Sequence, residues 1–298
     1  MALPLGELSA LLAAGSWGVS SVLFAAEREH VRPAVMTLQK GSLAIGFFAL
    51  VLVAMRLGGT SFTVPRLEPL TLLALSAVFG ITIGDTCFFA SMRRIGVRKA
   101  SLLALLNPIL AAFLAWMLGQ ELPGVVGFAG IGLTLVGVLL VVVASPGGDG
   151  VDEAHRVSGV LFGAASAGCN AVGIVVAKTA IAEVGVVQTS LLRQLAAFVA
   201  LFAHQLWTQR GAGLGRELAF GFGRPRMWIA SLAGSCIGFL LFQIAIDRAS
   251  PPVTGALTST VPLFVAPLAA RFLHERLPRR AAIGTLIAVL GVVLLVGW

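Results

Sequence analysis

The chain has 298 residues, 58% of them hydrophobic and only 11% charged, with a mean hydropathy of +0.97; a soluble domain carries roughly a quarter charged residues, so soluble folds are excluded. The net charge of +8 would suit nucleic acid in a soluble protein, but in a chain this apolar it reads as basic loops beside a membrane, and no nucleic-acid partner is expected. Cys87, Cys169 and Cys236 lie within apolar stretches without the paired spacing of a zinc site or disulfide framework, so neither a metal nor a cofactor is expected.

Ten apolar stretches follow one another, and a helix of about 20 residues crosses a hydrocarbon core of about 30 Å. Residues 4–26 hold Trp17 and Ser20, 34–55 hold Lys40, 69–91 hold Asp85, 98–118 hold Pro108, and 124–144 are rich in glycine and valine. The segment SPGGDGVDEAHR, residues 145–156, is polar and reads as a linker. Beyond it, 157–180 carry Asn170, 186–207 carry Arg193, 227–247 carry Gln243, 252–273 carry Pro262, and 279–298 complete the series. Runs such as Ile131 to Val143 are apolar on every face, which suits helices and not the alternating strands of a barrel. The first stretch lacks a basic leader and is followed by nine others like it, so it reads as a retained helix.

The linker leaves five spans on each side, giving expected units 1–144 and 157–298. Shifting the sequence by about 150 residues brings Ser16 and Gly18 over Ser166 and Gly168, and Ser20 over Asn170. A shift of 153 to 154 brings Lys40 over Arg193, Gly84 over Gly238, Arg94 over Arg248, Pro108 over Pro262, Glu121 over Glu275 and Gly137 over Gly291. Two copies of an odd number of spans enter the membrane from opposite faces, so the expected fold is an all-α membrane protein of ten transmembrane helices in two inverted five-helix repeats. Inverted repeats are the architecture of alternating-access carriers, with the substrate between them near the midplane.

The small-residue first span AAGSWGVSS (13–21), the basic residue in spans two and seven, and IGDTCFFASMRRIGVRKAS (83–101) are joined by LLNPIL and TVPLF, by GQEL and HERL, and by the glycine-bearing fifth and tenth spans. Together these resemble the EamA-like ten-helix type of the drug/metabolite transporter superfamily over nearly the whole chain. The resemblance implies a carrier or exporter of amino acids, nucleosides, sugar phosphates or related metabolites. The chain departs from that pattern where Lys40 stands for the usual Arg and where Ala167 replaces the Trp of the second copy; between the copies, Phe239 stands where the first has Asp85.

Of the 21 Lys and Arg, Lys40 and Arg193 lie within spans, fifteen lie in loops after odd-numbered spans, and four lie on the other side. The positive-inside rule then puts the odd-numbered loops in the cytoplasm and both termini outside, whereas the family resemblance implies termini inside. A multi-pass protein of the cell inner membrane is expected in either case.

Ionisable residues inside a span are costly and are candidates for function. Lys40 lies about six residues, or roughly 9 Å, into its span, and Asp85 lies at matching depth, so the two could pair. Arg193 occupies the equivalent place in the second half, but Phe239 stands where its carboxylate would be, which leaves a cation able to receive a carboxylate or phosphate. Against this, long basic side chains can snorkel to the interface and serve only as anchors, and Lys40 with Asp85 could be a structural lock. Trp17 suits either a cavity wall or packing; Ser20, Asn170 and Gln243 suit either substrate or interhelical hydrogen bonds. Pro108 and Pro262 are candidate hinges. Glu121 and Glu275 close spans four and nine and read as structural caps.

The leading expectation is a secondary carrier that exports amino acids or similar small metabolites, working as a monomer in the lipid bilayer because one chain holds both halves. A sugar-phosphate or nucleotide-sugar exchanger is the near alternative. A multi-span membrane enzyme is the alternative from another class, but His30, His155, His204 and His274 are scattered and form no acid/base or metal motif. No Walker motif is present, so no enzymatic ATP use is expected.

Overall fold

The computed structural model describes residues 5–60, 65–118, 124–144, 153–208, 214–248, 254, 257–274 and 278–296. Glu121, Glu275, Trp298 and linker residues 145–152 lie outside this set, as does the side chain of Gln243. No strand occurs among the described residues. This follows from the solvent: in hydrocarbon the backbone must bond within its own segment.

Seven helical segments of at least 18 residues are apolar enough to cross a membrane: Leu5–Ala26, Pro33–Leu57, Leu67–Ile95, Val97–Leu114, Glu153–Ala177, Val186–Thr208 and Pro225–Phe242. Shorter apolar helices at Val125–Val141 and Val261–Phe272, with Arg279–Val296, complete ten. They are numbered here as spans 1 to 10 in chain order. Pro33 and Pro225 sit in the first turn of spans 2 and 8, where the missing N–H has no intrahelical partner to lose. Spans 3 and 4 reverse direction at Gly96, and spans 6 and 7 at Gly185, with φ of 82° and 81°; glycine adopts that region without a Cβ clash.

Span 6 belongs to the helix Glu153–Val184, 32 residues long, so helix begins four residues inside the segment expected to be linker. At 1.5 Å per residue it is longer than the hydrocarbon is thick. Its first turn is the polar extension, where Arg156 faces Glu153 at 3.7 Å. A further short helix, Leu214–Phe222, lies between spans 7 and 8; its nine residues with Arg216 and Glu217 gave no span signal.

The packing repeats across the halves. Span 1 packs on spans 8 and 9 as span 6 packs on spans 3 and 4; span 2 meets span 8 as span 7 meets span 3; spans 2 and 7 pair, as do spans 5 and 10. Exchanging each span with the one five further on leaves this set unchanged, so the two repeats are related by an approximate two-fold exchange. Local irregularities repeat as well. Span 3 contains a π-helical turn at Val78–Ile83 and span 8 one at Leu232–Gly238, 154 residues apart at their starts. Span 4 is interrupted at Ala104–Leu105 and the chain into span 9 at Ser259–Thr260.

Spans 5 and 10 approach through glycines: a Cβ on Gly137 would lie 2.3 Å from the backbone N of Ala288, and one on Gly291 would lie 2.4 Å from the N of Thr134. Such contact replaces the hydrophobic effect, which gives helices no reason to associate in lipid. The largest apolar cluster gathers Phe24, Val35, Phe89, Met92, Met227 and Val265 from five spans and both halves. A smaller one holds Leu73, Ala177, Ala180 and Val184 from spans 3 and 6.

Candidate functional site

The charged residues of the membrane interior meet where spans 2, 3, 6 and 7 adjoin. Lys40 Nζ on span 2 donates to Asp85 Oδ2 on span 3, with side chains only 18% and 19% exposed. Beside the pair, Thr37, one turn from Lys40, and Thr86, next to Asp85, have hydroxyls 3.2 Å apart. Each charge here would be expensive alone; together they form a neutral unit.

Arg193 reaches into the same region from span 7. A Cβ on Gly80 of span 3 would stand 3.3 Å from Arg193 Nη2 and 3.3 Å from the Cα of Gly173 on span 6, so the absence of a side chain at Gly80 makes room for the guanidinium. Asp85 lies within electrostatic reach of Arg193, but the carboxylate is hydrogen-bonded to Lys40. Arg193 Nε is buried without a hydrogen-bond partner, and among the described residues Arg193 makes no ion pair within 4 Å. Asn170 of span 6 sits one turn along: a Cβ on Gly84 would lie 2.8 Å from its Nδ2, which donates to Ser166 O at 3.0 Å. Two cations and one carboxylate thus share one junction with a net charge of +1.

The π-helical turn of span 3 explains the placement. It ends at Ile83, directly before Gly84 and Asp85, and the extra residue in such a turn reorients the side chains that follow. Gly80 within it lets span 6 approach closely, sealed by Ser76 Oγ donating to Gly173 O at 2.7 Å.

Trp17 and Ser20 are built into a different contact, the seam between spans 1 and 8. Trp17 Nε1 donates to Gly234 O at 3.0 Å and Ser20 Oγ to Ala230 O at 2.7 Å, so their donors are committed to interhelical bonds. From Trp17 an aromatic chain runs through Phe242 and Phe239 to Phe48 on span 2, with successive centroids 5.3, 6.4 and 5.4 Å apart. Phe239 is the counterpart of Asp85. One half therefore builds an ionic junction where the other builds an aromatic one.

Pro262 lies in the first turn of the helix Val261–Phe272 and Pro108 in the first turn of Leu106–Met117. Both directly follow the interruptions in their spans, which is where a ring that displaces the carbonyl of residue i−4 puts a break. Pro267 lies inside the same helix as Pro262, without a proline at the equivalent Phe113.

Gln194, next to Arg193, is a further residue of this region: it is buried, its Oε1 has no partner, and a Cβ on Gly41 would lie 3.7 Å from that oxygen. The signal was available, since a glutamine beside an arginine within an apolar run is costly twice over. Glu27, a carboxylate only 3% exposed, stands at the end of a span, where sequence alone does not tell a buried charge from a solvated one. An apolar cleft of about 440 Å³ between spans 2 and 8, lined by Gly46, Phe47, Leu50, Trp228 and Leu232 among others, has no charged residue among the described residues that line it and shares none of them with the ionic junction.

Comparison with known proteins fits this architecture. The EamA-like transporter family matches twice, over residues 4–143 and again over 157–297. A solved crystal structure shares the fold with a TM-score of 0.65 at 18% identity, covering 98% of this chain and 96% of its own. None of the curated proteins matches. With one family unit in each half of a ten-span helical fold, the chain belongs to the EamA-like transporter family, within the drug/metabolite transporter superfamily, and is a multi-pass membrane transporter.

Proposed function

We propose that this transporter is a secondary carrier that exports amino acids or similar small metabolites by alternating access, and that it is not an enzyme. The moving units are the halves 1–144 and 157–298, joined by the linker 145–156 and inverted relative to each other, because a unit of five spans returns the chain to the opposite face. The approximate exchange symmetry of the packing supports two alternating states built from the same helix contacts. Pro108 and Pro262 act as hinges beside the interrupted turns. Either half completes the other, so the working unit is the monomer, in a cell inner membrane with the basic odd-numbered loops toward the cytoplasm.

The observation that carries the substrate reading is Arg193. It is a cation held inside the membrane with Nε buried and unpartnered, beside a carboxylate already bonded to Lys40. A substrate carboxylate supplies the missing acceptors, and Arg offers it a two-pronged donor. Asn170 and Lys40 with Asp85 line the same region, Gln243 is assigned to the site from its position in the sequence of span 8, and Trp17 and Ser20 form the wall on the span 1–8 seam. The test is uptake into proteoliposomes with a panel of amino acids and sugar phosphates. Amino acid uptake above protein-free vesicles that Arg193→Gln abolishes and Arg193→Lys partly keeps is expected. Normal transport by Arg193→Gln removes the assignment of the site, and uptake confined to sugar phosphates replaces the substrate class.

A further inference from the structure

At the face where span 1 ends and spans 2 and 8 begin, the two halves are joined by ion pairs. Glu27, in the turn after span 1, pairs with Arg224 and, at 3.8 Å, with Arg226, both at the start of span 8. Arg32, just before span 2, pairs with Glu217 on the short helix Leu214–Phe222. All three contacts cross from the first half to the second. The Arg32 pair is about 40% exposed on both sides and is worth little. The Glu27 pair is different: Glu27 is 3% exposed, and Arg224 is also stacked over the Phe220 ring at 4.4 Å. Directly beneath, Phe24, Val31, Val35, Phe89, Met92 and Met227 pack from both halves into one dry cluster.

We propose that Glu27 with Arg224 and Arg226 is an ionic latch that holds this face closed and biases the carrier toward the state open on the other side. A buried pair is weak as a source of stability but costly to break one partner at a time, so separating the halves here requires Glu27 and Arg224 to be hydrated together. The pseudo-equivalent positions at the opposite face are Ala177 for Glu27, Leu70 for Arg224 and Leu72 for Arg226. Ala177 and Leu72 belong to the small apolar cluster of spans 3 and 6. Among the described residues the two faces are therefore closed by different chemistry in a structure whose packing otherwise exchanges, and the latch makes the two states unequal in energy.

This inference rests on the alternating-access reading, and its test uses no substrate. Cys87 lies on span 3 two residues past Asp85 in the direction of the latch, and it serves as a native reporter once Cys169 and Cys236 are replaced by alanine. A membrane-impermeant maleimide is added to vesicles from the face of the odd-numbered loops, and its reaction with Cys87 is timed. Glu27→Gln is expected to speed labelling about tenfold, and Arg224→Glu at least as much. The exchange Glu27→Arg with Arg224→Glu should return the rate to within about threefold of the parent. Arg226→Gln removes only the longer contact, from a side chain 66% exposed, and should speed labelling about twofold; it answers the question if a substitution at Glu27 prevents folding. Unchanged labelling in Glu27→Gln, or an exchange variant as reactive as Arg224→Glu alone, overturns the latch while leaving the carrier reading intact. Normal transport by Arg193→Gln would remove the proposed site without altering these rates.

Discussion

The junction of Lys40, Asp85 and Arg193 predicts an unequal set of stabilities. Replacing Asp85 by Asn leaves two cations in one partly buried region; breaking a buried pair costs about 3 to 5 kcal/mol, and with side chains 18% and 19% exposed the lower figure of about 3 applies. Replacing Lys40 by Met leaves Asp85 with Arg193 still within electrostatic reach, so the loss is about half as large, roughly 1 to 2 kcal/mol. The double variant removes a neutral pair, so Arg193 loses the attraction of Asp85 and the repulsion of Lys40 together, costing within about 1 kcal/mol, and the coupling between the two sites is about 3 to 5 kcal/mol. Unfolding in mixed micelles followed by the fluorescence of the five tryptophans measures all three. If Lys40→Met is as damaging as Asp85→Asn, or if the two losses simply add, the three residues do not form one electrostatic unit.

Other consequences follow from contacts that only glycine permits. A Cβ at Gly173 would fall 2.7 Å from Gly80 Cα and 2.9 Å from Ser76 O, so Gly173→Ala should cost about 1 to 3 kcal/mol, whereas Gly46→Ala, with nothing within 4 Å, should shift the same unfolding curve by less than about 0.5 kcal/mol. Gly96→Ala, at φ 82°, should lower stability by about 1 to 2 kcal/mol through backbone strain, and an unchanged midpoint would contradict the turn. Trp17→Phe keeps the ring but removes the bond to Gly234 O; a loss of about 1 kcal/mol in unfolding with transport retained is expected, and transport abolished in a fully stable variant would make the indole N–H a substrate contact.

The spans were legible because each is a long apolar run whose ends are marked by Pro, Gly or charge. The pairing of Lys40 with Asp85 could be anticipated because depth along two adjacent antiparallel helices is simple arithmetic. Its geometry could not, since the π-helical turn at Val78–Ile83 is imposed by close approach to span 6 and leaves no local mark beyond GITIG. The helix start at Glu153 was hidden for a related reason. The residues DEAHR look like linker, but Glu153 suits the positive end of a helix dipole and the long span behind it propagates the helix outward. Nothing in the sequence marks Glu27, because burial of an end-of-span residue depends on which loop folds over it, here the one carrying Arg224. The commitment of Trp17 and Ser20 to span 8 is equally a tertiary fact, and the choice between substrate and interhelical bonding for such residues is not encoded in spacing.

Carriage by two alternating halves is tested most directly by counterflow. Proteoliposomes preloaded with a transported amino acid should take up labelled amino acid several-fold faster than empty ones, with a rate that saturates as the external concentration rises. Uptake that is indifferent to internal substrate and rises linearly with external concentration would describe a pore, and would contradict the account.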